Sequence, residues 1–197
     1  MAFDGQSDII NLTSTLSCMN VDVAAILYTV INEIGKDKIR AELTQDISLS
    51  QKYCTEILSR SRARVGNGVN DEVLASFCEA LLHFMLTVCM LPSQRKVQVR
   101  GVELDLVIPS VRALTQQPEN AIVIQVYKSE NDRDKLVKTV QLQPNTKNLW
   151  VVSAAKLSTD YRNYNLEEGN SFSSIVVDIY RFVKNKGISG LKLFHGD

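Results

Sequence analysis

The sequence predicts an α/β protein: an N-terminal helical segment followed by a mixed sheet of four to five strands flanked by helices. Three observations carry this. Apolar residues keep a helical period as far as Pro92 and switch to a two-residue period just beyond it. Between Lys96 and Ser153, strand-like runs alternate with a helix-like one, the pattern of an α/β layer structure. Within that stretch, Ala121–Val126 is apolar on both faces except for Gln125, as a central strand must be. The division falls between a helical region, 1–69, and an α/β core, 70–197.

Taken in order, residues 1–20 carry weak structure signals. Asn20 is placed to cap a helix whose stripe is Val23, Ile26, Leu27, Val30, Ile31 and Ile34, with Gly35 as its stop. A short helix over about 37–43 follows. Ser48 or Ser50 can cap another, reaching about Arg62, with Leu49, Tyr53, Ile57 and Leu58 inward. It ends in RSRARVGNG, where Arg60, Arg62 and Arg64 read either as a phosphate-binding corner or as cations favoured at a helix C-terminus. Asn70 caps the longest helix, about 71–91, which Pro92 stops. One polar stripe crosses it, Glu72, Ser76, Glu79, His83 and Thr87, and it faces either solvent or a site.

Strands follow at 96–99 and 102–108 around an Arg100–Gly101 turn. Strict alternation sets Val102, Leu104, Leu106 and Ile108 on one face, with Glu103, Asp105 and Val107 on the other. Pro109 ends the hairpin, and 110–120 reads as a loop or short helix. In the third strand Val123, Gln125 and Tyr127 share a face, with Lys128 opposite. A helix over about 132–143, a strand at 149–153 and an irregular polar stretch, 154–170, come next. Ser171 then caps a helix with Phe172, Ile175, Val176, Ile179, Phe182 and Val183 inward and Gly187 at its end. Leu191–Phe194 reads as a last edge strand.

Composition excludes more than it assigns. With 22 basic and 22 acidic residues, no global basic field exists, so any nucleic-acid surface must be a local patch. The four cysteines form no CxxC pair, and Cys78 and Cys89 lie in an apolar run; His83 and His195 are too few for a zinc cluster. These facts suit a reduced, cytoplasmic setting. The N-terminus has no basic stretch followed by an apolar segment, and the longest apolar run, 80–91, is far short of the roughly 20 residues that span a bilayer, so no membrane partner is expected.

Acidic and amide side chains inside two strands are the one hint of chemistry, in GVELDLVIP (101–109) and AIVIQVYK (121–128). With the order helix, hairpin, central strand, helix, strand over about 70–155, these segments resemble the PD-(D/E)XK superfamily. That is the restriction-endonuclease-like fold, which includes archaeal Holliday-junction resolvases. The resemblance implies that Asp105 is a metal-binding aspartate, that Glu79 is the additional acid some members carry on the preceding helix, and that AIVIQVYK is the strand ending in Glu-x-Lys. Phosphodiester hydrolysis of this kind uses a divalent ion to stabilise developing charge and to supply a hydroxide-like nucleophile. Mg²⁺ or Mn²⁺ would sit on carboxylate oxygens.

The sequence departs from that pattern in its chemistry. Gln125 stands at the position of the glutamate and Tyr127 at that of the lysine, while Lys128 comes one residue later, on the opposite face. Glu103 shares a face with Asp105 and is the candidate to replace the missing acid. Lys135 or Lys138, on the next helix, could replace the missing amine. The expectation is therefore a nuclease-like protein with a degenerate active-site motif, Asp105, Gln125 and Lys128, and weak Mg²⁺ or Mn²⁺ binding at Asp105, Glu79 and Glu103. It would act chiefly in nucleic-acid binding or assembly, with DNA held by Arg60, Arg62, Arg64, Arg95, Lys96 and Arg100 through salt-dependent phosphate contacts. Two alternatives are an active metal-dependent deoxyribonuclease and a homodimeric interaction module built on the apolar stripes of the first 90 residues.

Overall fold

Helix α1, Val23–Ile34, opens the described part of the chain, and Leu27, Val30 and Ile31 bury its stripe. The computed structural model describes residues 22–66, 69–167 and 171–188. Asn20, His195, the Asn67–Gly68 pair and the strand expected at Leu191–Phe194 lie outside them. The cap of α1 is Asp22, whose carboxylate accepts the Ala25 N–H at 2.9 Å. Helix α2 spans Lys36–Gln45 and α3 spans Ser50–Val65. Neither Ser48 nor Ser50 caps α3: a 3₁₀ turn, Ile47–Leu49, leads into it, and Asp46 caps that turn through the Ser48 N–H. The acid is the better anion for those free N–H groups, and Ser50 is buried instead.

Helix α4, Asp71–Val88, starts as expected, with the Asn70 side chain accepting the Val73 N–H at 2.9 Å. It ends three residues early, because Met90 takes a left-handed conformation (φ 54°) that turns the chain before Pro92 is reached. Asn70→Ala should cost about 1 kcal/mol, the usual value of a lost cap, read as a drop in denaturant midpoint at constant slope.

The sheet runs β1 (Gln94–Val99), β2 (Val102–Ile108), β3 (Ile122–Tyr127), β4 (Leu149–Ser153) and β5 (Arg162–Tyr164), in that spatial order. The first three are antiparallel and the last three parallel. Arg100 (φ 50°) and Gly101 (φ 77°) both lie in the left-handed region, as a two-residue type I′ hairpin turn requires. Helix α5 (Val111–Gln116) follows the hairpin and α6 (Arg133–Leu142) crosses from β3 to β4. A Ser129–Asp132 capping box starts the turn that feeds α6. Strand β5 falls inside the stretch expected to be irregular. Its three residues are too short to show alternation, and β4 supplies its backbone partners. The last helix, α7, is Ile175–Asn185. A 3₁₀ turn over 171–174 leads into it, and Ser171 accepts the Asn165 N–H rather than capping the helix.

Two apolar layers cover the sheet. On one face Leu106, Ile108, Ile122, Ile124, Trp150 and Val152 pack with the helical layer, from Leu27 and Ile57 through Leu81 to Ile179. One core therefore joins residues before and after position 70. On the other face Val123, Leu149 and Val151 pack with Leu114 and Leu136. The stripes of the N-terminal helices are consumed inside this core; the large apolar side chains exposed among the described residues are Tyr28, Met90 and Val137, on different elements. Cys54, Cys78 and Cys89 are unpaired, the first two buried. No helix among the described residues is long and apolar enough to cross a membrane.

One expectation about β2 is corrected. Val102, Leu104 and Val107 face the α6 side, but Leu106 and Ile108 face the helical layer, so the alternation changes phase at Asp105. Opposite it, between the pairs Arg95↔Leu106 and Val97↔Leu104, Lys96 adopts φ 45° within the strand. The hairpin is thus irregular in both strands at one level.

Candidate functional site: a carboxylate–lysine cluster at the split of β2 and β3

The β2–β3 ladder pairs only residues 106–108 with 122–124, and the strands part beyond Leu106. Asp105 stands at the split and is 3% exposed. Its side chain takes over where the ladder stops, Oδ2 accepting the Val126 N–H at 2.9 Å. Its other oxygen, Oδ1, accepts from Lys135 Nζ of α6 at 2.8 Å and from Lys96 Nζ of β1 at 2.5 Å. Glu79 reaches the same place from α4: Oε1 lies 3.0 Å from Lys96 and 3.7 Å from Arg95, and Oε2 lies 2.9 Å from Lys128. Glu103 is more peripheral, 3.8 Å from both Lys96 and Lys135. Helix α4, the hairpin, the end of β3 and α6 thus bring together residues spread from 79 to 135.

Burial raises the pKa of the Asp105 carboxyl, but the Lys135 and Lys96 ammonium groups and the Val126 N–H outweigh it, so the net shift is downward. Glu79 behaves alike, with burial overcome by Lys128 and Lys96. Lys96 moves the other way: burial lowers its pKa, and hydrogen bonds to Asp105 and Glu79 more than reverse this. Asp105, Glu79 and Lys96 are thus charged at neutral pH.

Gln125 is 3% exposed and braces the split. Its amide oxygen accepts the Asp105 N–H at 3.2 Å, and its amide nitrogen donates to Glu103 O at 3.2 Å and Thr139 Oγ1 at 2.7 Å. Lys128 lies on the opposite side of β3 from Gln125, as alternation requires, and joins the cluster through Glu79 without any bulge. Of the two lysines considered on α6, Lys135 reaches Asp105, whereas Lys138 is exposed. The polar stripe of α4 is exposed at its ends, Glu72 and Thr87, and half-buried in the middle, where Glu79 meets the cluster. One turn on, His83 has a buried Nδ1 without a partner, and burial lowers its pKa.

The basic residues separate into two groups. Arg95 and Lys96 belong to the cluster, and Arg100 is exposed at the hairpin tip. Arg60 and Arg64 are on α3, ion-paired to Glu56 at 2.6 Å and Glu33 at 2.5 Å, with Arg62 exposed between them. The role of Lys96 as a bridge between carboxylates was the feature sequence reasoning missed. A signal for it existed: a two-residue turn at 100–101 fixes the hairpin register and sets Lys96 opposite Asp105.

No protein-family model matches the chain, nor does any curated protein. Among solved structures, the chain is similar to metal-depleted Ecl18kI in complex with uncleaved, modified DNA. The likeness covers 89% of this chain and 82% of that one, at 10% identity and a TM-score of 0.52. A second structure, metal-depleted Ecl18kI in complex with uncleaved DNA, gives 10% identity and a TM-score of 0.49. Ecl18kI is a restriction endonuclease, and the fold of this chain is restriction-endonuclease-like, the PD-(D/E)XK fold. At such identity the likeness is one of fold alone.

That fold family normally uses Mg²⁺. The donors here do not suit one. Among the described residues no three His, Cys, Asp or Glu side chains group so as to hold a metal ion. Both oxygens of Asp105 and both of Glu79 are already engaged by lysines or a backbone N–H. An octahedral ion needs several free, converging oxygens.

Proposed function

We propose that this is a nuclease-fold protein that binds nucleic-acid backbone at the β2–β3 split and cleaves it weakly or not at all. The observation that supports this reading is the commitment of the Asp105 carboxylate to Lys96 and Lys135. Around it stand Arg95, Lys96, Lys128 and Lys135 against Glu79, Glu103 and Asp105, so cations outnumber carboxylates. Ammonium and guanidinium groups that already hold carboxylate oxygens offer the donor geometry a phosphate takes. Arg100, at the tip of the same hairpin, extends the basic edge. Ecl18kI is seen in complex with DNA, which favours DNA as the partner here.

Labelled duplex and branched DNA, titrated over a salt series in EDTA, test the reading. Log affinity should fall linearly with log salt, with a slope of about −2 to −4 for a few neutralised phosphates. The double variant Arg95→Ala/Arg100→Ala should make the slope shallower by about one to two. Absence of binding at low salt, or binding indifferent to salt, would discard the idea. Incubation with Mg²⁺ or Mn²⁺ decides the alternative: rapid cleavage lost in Asp105→Ala would make the protein an active deoxyribonuclease.

A further inference from the structure

We propose that Lys96 is the resident cation of this site: its ammonium bridges Glu79 and Asp105 where the fold would otherwise place a divalent ion, closing the position to Mg²⁺ and Mn²⁺. The inference takes the cluster to be the fold's functional position, as above, but does not depend on nucleic-acid binding.

Three observations carry it. First, one atom, Lys96 Nζ, lies 2.5 Å from Asp105 Oδ1, 3.0 Å from Glu79 Oε1 and 3.8 Å from Glu103 Oε1. A single positive charge is thus shared by the three acids from which a metal site would have to be built. Second, the backbone is shaped for this. Lys96 holds φ 45° inside a strand, a conformation L-residues avoid unless their surroundings impose it. The pairs on either side keep one register, so no inserted residue explains the distortion. Its consequence is a lysine that reaches Asp105 and, across the sheet edge, Glu79 of α4. Third, the remaining oxygens are satisfied: Lys135 and the Val126 N–H complete Asp105, and Lys128 completes Glu79. A divalent ion would have to displace one ammonium while lying close to two others. Repulsion and the loss of existing hydrogen bonds both oppose that.

Removing the ammonium should therefore open the site. Lys96→Met keeps an unbranched stem of similar length and deletes the charge. Mn²⁺ titrated into the full chain without nucleic acid, followed by the electron paramagnetic resonance of free Mn²⁺, should show at least tenfold tighter binding in Lys96→Met than in the native protein. Adding Glu79→Gln should remove that gain. Equal binding by native protein and Lys96→Met, or a gain that survives Glu79→Gln, would overturn the proposal.

A second measurement needs no variant. The rate of amine labelling at Lys96 in the native chain, read by mass spectrometry, should be unchanged by millimolar MgCl₂. Acceleration would mean that the metal displaces the ammonium, and the proposal would fall. Because both assays contain metal and no DNA, and the DNA titration contains EDTA, either reading can fail without the other.

Discussion

Asp105→Ala should destabilise the protein by about 2–3 kcal/mol at neutral pH, at or just below the roughly 3–5 kcal/mol for breaking a fully buried ion pair. The variant leaves the Lys96 and Lys135 ammonium groups facing each other without their shared carboxylate, and it leaves the Val126 N–H without an acceptor. Both lysines keep some solvent, at 43% and 24% exposure, which holds the cost below that of a fully desolvated pair. The sign is diagnostic. In a site of clustered acids awaiting a metal, deleting one carboxylate relieves repulsion and stabilises the metal-free protein. Here the acids are already neutralised, so the same deletion must destabilise. Denaturant unfolding in EDTA measures it, and a stabilised Asp105→Ala variant would contradict the ion-pair account.

The pH dependence follows from the same contacts. The Asp105 carboxyl titrates below its ordinary value of 3.8 when folded, and Glu79 below 4.5. Their contribution is therefore full above those ordinary values and is lost as pH falls through the lower folded ones. Native protein and Asp105→Ala should converge in stability on that acid side. Lys96, raised above 10.5, contributes fully below that value and loses its share as pH rises through its folded pKa.

How far the sequence carried the fold depended on periodicity. Long stripes such as Val23–Ile34 and Phe172–Val183 announce helices because one face must be buried, and Ala121–Val126 announces a central strand for the same reason. Three-residue β5 has no period to read, and its place is set by β4. Alternation failed within β2, where Leu104 and Leu106 face opposite layers. The change falls level with Lys96 of the neighbouring strand, whose left-handed backbone no pattern within 102–108 can express. Site chemistry showed the same limit. Asp105 and Glu79 were legible as acids in plausible positions, and Lys135 as one of two replacement amines. What each carboxylate does was not, because it depends on which cation arrives from another element.

Gln125→Glu offers the opposite experiment, placing an acid where the resemblance drawn from the sequence would have one. It should cost about 3 kcal/mol at neutral pH, in the range for a buried charge without partners, and should not by itself create metal-dependent cleavage. The Gln125 amide nitrogen donates to Glu103 O and Thr139 Oγ1, and a carboxylate can donate to neither. Thr139 already gives its hydroxyl proton to Lys135 O at 2.8 Å, so it has none to offer in return. The new charge would be buried beside Asp105, whose lysine partners are already committed. Such a carboxyl has a folded pKa above its unfolded one, so the penalty grows as pH rises through the unfolded value and is recovered on acidification. Comparing native and variant unfolding curves at neutral and mildly acidic pH checks both halves. A Gln125→Glu protein as stable as the native one at neutral pH would show that the split between β2 and β3 can take a second acid. In that event Gln125 would be a replaceable ligand position and not the brace that its three hydrogen bonds describe.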